Sequence, residues 1–328
     1  MHITILGGGG FLGQKLARHL AGAGEARSLT LLDIAPPPAP EAPFPVRAIA
    51  GDITDAVALA GAIPPETTHV VHLAAVVSAA AEADLDLGLR VNLLGSLAVL
   101  QACRLLPAPP RLVFASSVAS FSGGQHADLD DDARQVPANS YGAQKAMGEL
   151  LFQDATRRGL LDAVNLRLPT ISVRPGRPNK AASSFISAIL REPLLGLPTN
   201  CPVGDDFAVW IASPRSAVAW LAHAMTMDTA PLGLDRAINP PGLAARIGDM
   251  LAALAKQDPA AARRVTREPD PAIEAIVGGW PAAFTAERAR RLGFAQQPPL
   301  AALLAEFISE DLAATRAERG LAGEGTTP

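Results

Sequence analysis

Tyr141 is the only tyrosine in the chain, and Lys145 follows it four residues later. In a helix that spacing sets both side chains on one face. A free phenol titrates at about 10, too high for a base at neutral pH. A neighbouring ammonium favours the phenolate and lowers that value. It moves the phenol toward the range in which general acid–base chemistry is efficient. Ser117 stands upstream, at the end of the apolar run Arg111–Ser116. From a strand end its hydroxyl can hold a substrate oxygen in line with Tyr141. A Tyr–Lys pair on a helix face is common by chance. The serine and a glycine loop make this pair a catalytic candidate.

That loop is Gly7-Gly8-Gly9-Gly10-Phe11-Leu12-Gly13, between a strand-like run, His2–Leu6, and a helical one near Gly10–Ala23. Gly7 suits a tight turn, Gly10 lets backbone approach a pyrophosphate, and Gly13 permits close helix–sheet packing. The amides at the helix start, Phe11 and Leu12 among them, then face the phosphates, helped by the helix dipole. Asp33 follows Gly13 by twenty residues, at the end of a second strand. A carboxylate there accepts hydrogen bonds from both ribose hydroxyls of NAD and repels the 2′-phosphate of NADP. NAD is therefore the expected cofactor. Gly51-Asp52-Ile53 ends a third strand; Asp52 is read as an adenine contact, with a turn cap as the alternative. His72-Leu73-Ala74-Ala75 ends a fourth, where Leu73, Ala74 and Ala75 let the dinucleotide pass close to the backbone. His72 is read as a packed strand-end residue.

These side chains need a scaffold. Strand signals fall at His2–Leu6, Leu29–Asp33, Val46–Ala50, Val70–Ala74, Arg111–Ser116 and Ala163–Leu168. Helical patterns fall between them, notably Leu85–Leu106 and Tyr141–Arg158. Such alternation predicts an α/β fold: a doubly wound parallel sheet of Rossmann type, with ligands at the carboxyl ends of the strands. After Leu168 the pattern loosens, with helices near Ser183–Arg191, Asp249–Lys256 and Ala286–Leu292. This predicts a second, smaller, mostly helical C-terminal lobe for substrate. The dinucleotide-binding domain is read as residues 1–168 and 205–240, and the substrate lobe as 169–204 and 241–328. The run from Pro36 to Pro45 reads as a surface loop. The tail beyond Arg319 is expected to fray.

Composition narrows the function classes. The 328 residues are 49% apolar but only 4% aromatic, so the core is built from Ala, Val, Leu and Ile. A net charge of −4 without a basic stripe argues against a nucleic-acid partner. Cys103 and Cys201 are too few for a disulfide framework or a zinc site, and the six His lack ligand spacing, so no metal is expected. No leader and no apolar run long enough for a bilayer is read. The expectation is no membrane partner and a cytoplasmic location.

Taken in order, the glycine loop, Asp33, Gly51-Asp52, His72-Leu73-Ala74-Ala75, Ser117 and Tyr141-x-x-x-Lys145 resemble the extended short-chain dehydrogenase/reductase (NAD-dependent epimerase/dehydratase) family. The resemblance implies that Tyr141 is the acid/base, that Lys145 binds the nicotinamide ribose and tunes Tyr141, and that Ser117 orients substrate. It implies that Asn92 supports Lys145 through water, and that Pro169 borders the cofactor. It further implies a homodimer paired through Leu85–Leu106 and Tyr141–Arg158. Leu6 departs from the Thr that many relatives carry. The Asp-Glu pair of the sugar dehydratases is missing after Phe114. The stretch Ala208-Val209-Trp210 lacks the diphosphate-gripping Arg of the nucleotide-sugar epimerases.

Further stretches, including Val173-Arg174-Pro175-Gly176 and Gly278-Gly279-Trp280-Pro281, resemble a branch acting on D-erythronate-like four-carbon sugar acids. That resemblance implies hydride transfer from the C2 hydroxyl to NAD, giving a 2-oxo acid, so a small-molecule sugar acid is the expected partner. A carboxylate is best gripped bidentately by Arg. Arg174 and Arg215 are the candidates, each with an inter-lobe salt bridge as its alternative role. Asn179, Ser183 and Ser184 can bind substrate hydroxyls or the nicotinamide amide. Trp210 is read as pocket wall or core. An NAD-dependent sugar or nucleotide-sugar epimerase is the alternative enzyme, and a non-catalytic redox sensor the alternative outside catalysis.

Overall fold

The computed structural model describes residues 1–124, 129–178 and 183–321. The first half runs β1 (His2–Leu6), α1 (Phe11–Ala23), β2 (Ser28–Asp33), β3 (Val46–Ala50), α2 (Ala56–Ala62), β4 (His69–His72), α3 (Ser78–Ala83), α4 (Leu85–Gly88), α5 (Gly95–Cys103), β5 (Arg111–Ser117), α6 (Ser140–Arg157) and β6 (Asp162–Leu168). The second half adds β7 (Thr170–Ile171), α7 (Ser184–Leu194), β8 (Thr199–Asn200), β9 (Ala208–Ala212), α8 (Pro214–Thr226), β10 (Ala237–Ile238), β11 (Leu243–Arg246), α9 (Ile247–Gln257), α10 (Pro259–Ala262), β12 (Val265–Thr266), α11 (Pro271–Val277), α12 (Glu287–Arg291), α13 (Leu300–Glu310) and α14 (Leu312–Glu318).

Seven strands form one parallel sheet in the order β10-β6-β5-β4-β1-β2-β3. β1, β2, β5 and β6 are near-continuous apolar runs because helices cover both faces. Leu16, Leu20, Val218 and Leu221, from α1 and α8, pack on one face. Leu59, Val99, Leu100 and Phe152, from α2, α5 and α6, pack on the other. The strand order reverses beside β1, so β1, β2 and β4 open a crevice at their carboxyl ends. This is the doubly wound sheet the sequence predicts.

The second core is smaller. Phe185, Ile189, Met250, Leu254, Leu303 and Phe307 join α7, α9 and α13. A three-stranded sheet, β11-β9-β7, and a two-stranded one, β12-β8, complete this part.

Three readings change. The segment predicted as one helix over Leu85–Leu106 is α4, a π-helical turn at Leu89–Leu94, and α5. The π turn carries Asn92, whose side-chain amide is bonded to Val76 and Gln144. β4 stops at His72, because Leu73 and Ala74 both donate to Leu6 O and bend beneath the glycine loop. Leu85–Cys103, 19 residues at hydropathy 1.2, does have the length and composition of a membrane span, which the sequence reading overlooked. Its Asn92 and Ser96 are buried and hydrogen-bonded inside the protein, as in a packed helix. The tail beyond Leu321, expected to fray, lies outside the described residues.

Candidate active site

α6 starts where Asn139 accepts a hydrogen bond from the Gly142 amide at 2.7 Å, an N-cap that fixes the helix entry. A Cβ on Gly142 would collide with the Ala119 carbonyl, so only glycine lets the first turn of α6 close onto the end of β5. Tyr141 is thereby brought to Ser117. The Ser117 hydroxyl also accepts from the Ala119 amide at 3.1 Å.

Lys145, one turn on, is 3% exposed; its Nζ lies 5.6 Å from the Tyr141 ring centre. It donates to the Ala115 carbonyl at 2.7 Å. Burial pushes this ammonium down to about 7, opposed by Glu149. Burial also raises the Tyr141 phenol, opposed by the charge of Arg174 and a hydrogen bond from Ser117. The sequence assigns the tuning cation to Lys145. Nζ is turned to the Ala115 carbonyl, and the charge of Arg174 acts on the phenol as well.

Glu149 continues the same face of α6 and is 3% exposed. Arg167 of β6 grips it with Nε at 3.0 Å and Nη2 at 2.9 Å from Oε2. Ser116 donates to its Oε1, and Gln135 to Oε2 at 3.1 Å. This buried network binds β5, β6 and α6 directly behind Lys145 and Ser117. The sequence reading missed it. The i+4 step from Lys145 was its one signal.

At the other end of the crevice Gly7 has φ of +86°, and a Cβ there would meet Ala74 N at 2.7 Å. No side chain caps α1, which leaves its first amides facing the crevice. Asp33 accepts from Gly9 N at 2.9 Å and Ile34 N at 2.8 Å, so its carboxylate stands at the edge of the loop.

One cleft of about 310 Å³ joins the glycine loop to Ser117, Tyr141 and Lys145; Asp33 stands beyond its lining, at the outer edge of the loop. The cleft is lined by Gly7, Gly10, Phe11, Leu12, Leu73, Ala75 and Pro169, and by Ser117, Tyr141, Lys145, Arg174 and Ser183. Val77, Ser78, Thr170 and Trp280 line it too and were not assigned from sequence. Among the described residues, the Trp280 indole N–H is buried without a hydrogen-bond partner. Other expected residues stand elsewhere. Asp52 accepts from Thr54 N at 2.8 Å and so caps its own turn. Ile53 is packed in the core beside Leu32 and Leu59. Ala74 lies under Gly7, and Asn92 donates to Gln144 Oε1 at 2.7 Å. Arg215 is exposed and paired with Glu310, away from the cleft. Asn179 lies outside the described residues. Trp210 packs on Phe284 at 5.9 Å in a small apolar cluster with Val118 and Phe121, outside the cleft lining. His72 is packed between Phe114 and Phe152 and bonded to Ser96, as expected of a strand-end residue. Among the described residues no three His, Cys, Asp or Glu gather to hold a metal ion.

A nucleotide-binding crevice opening onto a Ser–Tyr–Lys group defines an NAD-linked oxidoreductase fold. The chain belongs to the NAD dependent epimerase/dehydratase family, whose model matches residues 3–210. It is 48% identical to D-erythronate dehydrogenase of Cupriavidus necator over 304 residues, covering 90% of this chain and 94% of that one. It is 38% identical to the D-erythronate dehydrogenase of Haemophilus influenzae, covering 95% of this chain and all of that one. Among solved structures, a nucleoside-diphosphate-sugar epimerase from Agrobacterium tumefaciens superposes with a TM-score of 0.90 at 39% identity, covering 95% of each chain. NAD is the cofactor. The residues fit it: a cradle at Gly7 that a side chain would fill, an uncapped helix start, and a carboxylate at the end of β2.

Proposed function

We propose that this protein is an NAD-dependent dehydrogenase that oxidises the C2 hydroxyl of D-erythronate, or a closely related four-carbon sugar acid, to a 2-oxo acid. One observation carries the reading: a single small cleft joins the glycine cradle to Tyr141, Lys145, Ser117 and the guanidinium of Arg174. The likeness to two D-erythronate dehydrogenases over most of their length supports the same substrate.

Each side chain then has a task. Asp33 holds the ribose hydroxyls, and the amides of Phe11 and Leu12 face the pyrophosphate. Arg174 grips the substrate carboxylate. Ser117 holds the C2 oxygen, and Tyr141 Oη removes its proton. Lys145, freed from Ala115 O, donates to the nicotinamide ribose. Ser183 and Asn179 bind substrate hydroxyls. NAD⁺, when bound, accepts the hydride from C2. Residues 1–168 and 205–240 serve the cofactor, and 169–204 and 241–328 the substrate.

The test is absorbance at 340 nm with D-erythronate and NAD⁺. Net NADH supports the reading, and its absence with every four-carbon aldonate overturns it. The likeness to a solved nucleoside-diphosphate-sugar epimerase favours a second reading, a sugar epimerase. That enzyme would return the hydride and accumulate no NADH. Ala208-Val209-Trp210, without an arginine to grip a diphosphate, weighs against it.

The protein is further read as a cytoplasmic homodimer. Leu94, Leu97, Met147 and Leu150 are exposed along the π turn, α5 and α6, the helices expected to pair. Sedimentation should give a dimer that Leu150→Glu weakens. A monomeric wild type would contradict the pairing.

A further inference from the structure

Arg174 is held by its own main chain. Its amide donates to Ser187 Oγ at 3.1 Å, and its carbonyl accepts from Arg191 Nη1 at 2.8 Å. Its Nε donates to Ile171 O at 3.1 Å. With Nε tied back, the terminal Nη groups make no hydrogen bond among the described residues, and the side chain lines the cleft.

The clamp's support continues to the other end of the chain. Arg191 is 1% exposed, and its Nε pairs with Glu192 at 2.8 Å. Glu192 in turn meets Arg319, just past α14, at 3.1 Å. α14 also takes the Gly176 amide on Thr315 Oγ1 at 3.3 Å, and Arg316 donates to Leu194 O at 2.9 Å. The main chain on both sides of Pro175 is thus fastened, by Arg191 before it and by α14 after it.

An Arg–Glu–Arg chain that is buried at Arg191 and Glu192 and partly exposed at Arg319 is a poor device for stability, since apolar side chains of similar volume often do as well. It does fix direction and register. Among the described residues, Arg191 Nη2 is buried without a hydrogen-bond partner.

We propose that Arg191, Glu192 and Arg319 are positioning residues: through them the C-terminal helix holds Arg174 in place and sets affinity for the carboxylate of the substrate. The inference rests on Arg174 being the carboxylate clamp. It predicts a loss centred on the acid group, because the chain touches neither the glycine loop nor Tyr141 and reaches the phenol only through the charge of Arg174.

The experiment compares Arg319→Ala, Arg319→Lys, Glu192→Gln and Arg174→Met. Steady-state rates are measured at saturating NAD⁺. Calorimetry measures binding of D-erythronate to the NADH-loaded protein. Arg319→Ala should raise KM and Kd for D-erythronate about tenfold, the scale of a sub-ångström misplacement, with kcat within about twofold. Arg319→Lys should recover most of the loss. Inhibition by erythritol, the same carbon chain without a carboxylate, should not change, nor should NADH affinity. Glu192→Gln should show the same pattern more strongly. If it fails to fold, Arg319→Ala decides alone.

Unchanged KM and Kd in Arg319→Ala, or a parallel loss of erythritol or NADH binding, would overturn the proposal. Should Arg174→Met also leave D-erythronate binding intact, the clamp reading falls with it. A large effect of Arg174→Met beside an inert Arg319→Ala sinks this inference alone.

Discussion

The reaction end of the cleft draws on neighbours in sequence: Tyr141, Lys145 and Glu149 share one face of α6, and Ser116 and Ser117 end β5. The substrate end collects Arg174, Ser183 and Trp280 from segments far apart, held by α7, α14 and the loop after α11. The first is fixed by a helix cap, a parallel sheet and a buried ion pair. The second depends on long-range contacts between the smaller lobe and the sheet. Chemistry here is set by local structure and choice of substrate by tertiary structure, so substitutions at the two ends should fail in different ways.

The largest effect should come from Tyr141→Phe. Removing the acid/base lowers kcat by roughly 10³-fold while NADH affinity, read by fluorescence, stays within about twofold. Turnover within tenfold of wild type would show that the reaction end is misassigned. Arg174→Met comes next. Losing a bidentate carboxylate contact should lower kcat/KM about 100-fold, mostly through KM. A change confined to kcat would leave Arg174 only its action on the Tyr141 phenol, and its role as carboxylate clamp would fall.

The smallest effect concerns acid stability. The reaction end buries ionisable groups, and His72, 1% exposed, is held down to about 3 by burial and then by Lys145. Its folded value lies below the unfolded one. The unfolded chain therefore binds more protons between about 3 and 6.5, and stability falls as pH drops through that window. His72→Gln should flatten the urea-unfolding free energy by about 1 kcal/mol per pH unit between pH 6 and 4. An unchanged slope would mean that His72 charges without unfolding.

Much of the reaction end was legible because its signals are local. The glycine spacing, the strand ends and the Tyr–Lys step each follow from a period of the backbone. The substrate end was less so. Arg174 and Arg215 look alike in sequence, both in irregular stretches. Only folding takes Arg215 to Glu310 and Arg174 to the cleft. Trp280 carried no periodic signal. α8 had one that went unread, Ser213 as cap followed by Pro214 at the first turn. The π turn at Leu89–Leu94 has no signature in apolar spacing, which its neighbours α4 and α5 share.

The most direct measurement uses D-erythronate deuterated at C2 with NAD⁺, and mass spectrometry of both products. The account predicts one deuterium in the reduced cofactor and none in a 2-oxo acid product. Deuterium retained in the acid, or returned to a C2 epimer without net NADH, would contradict it.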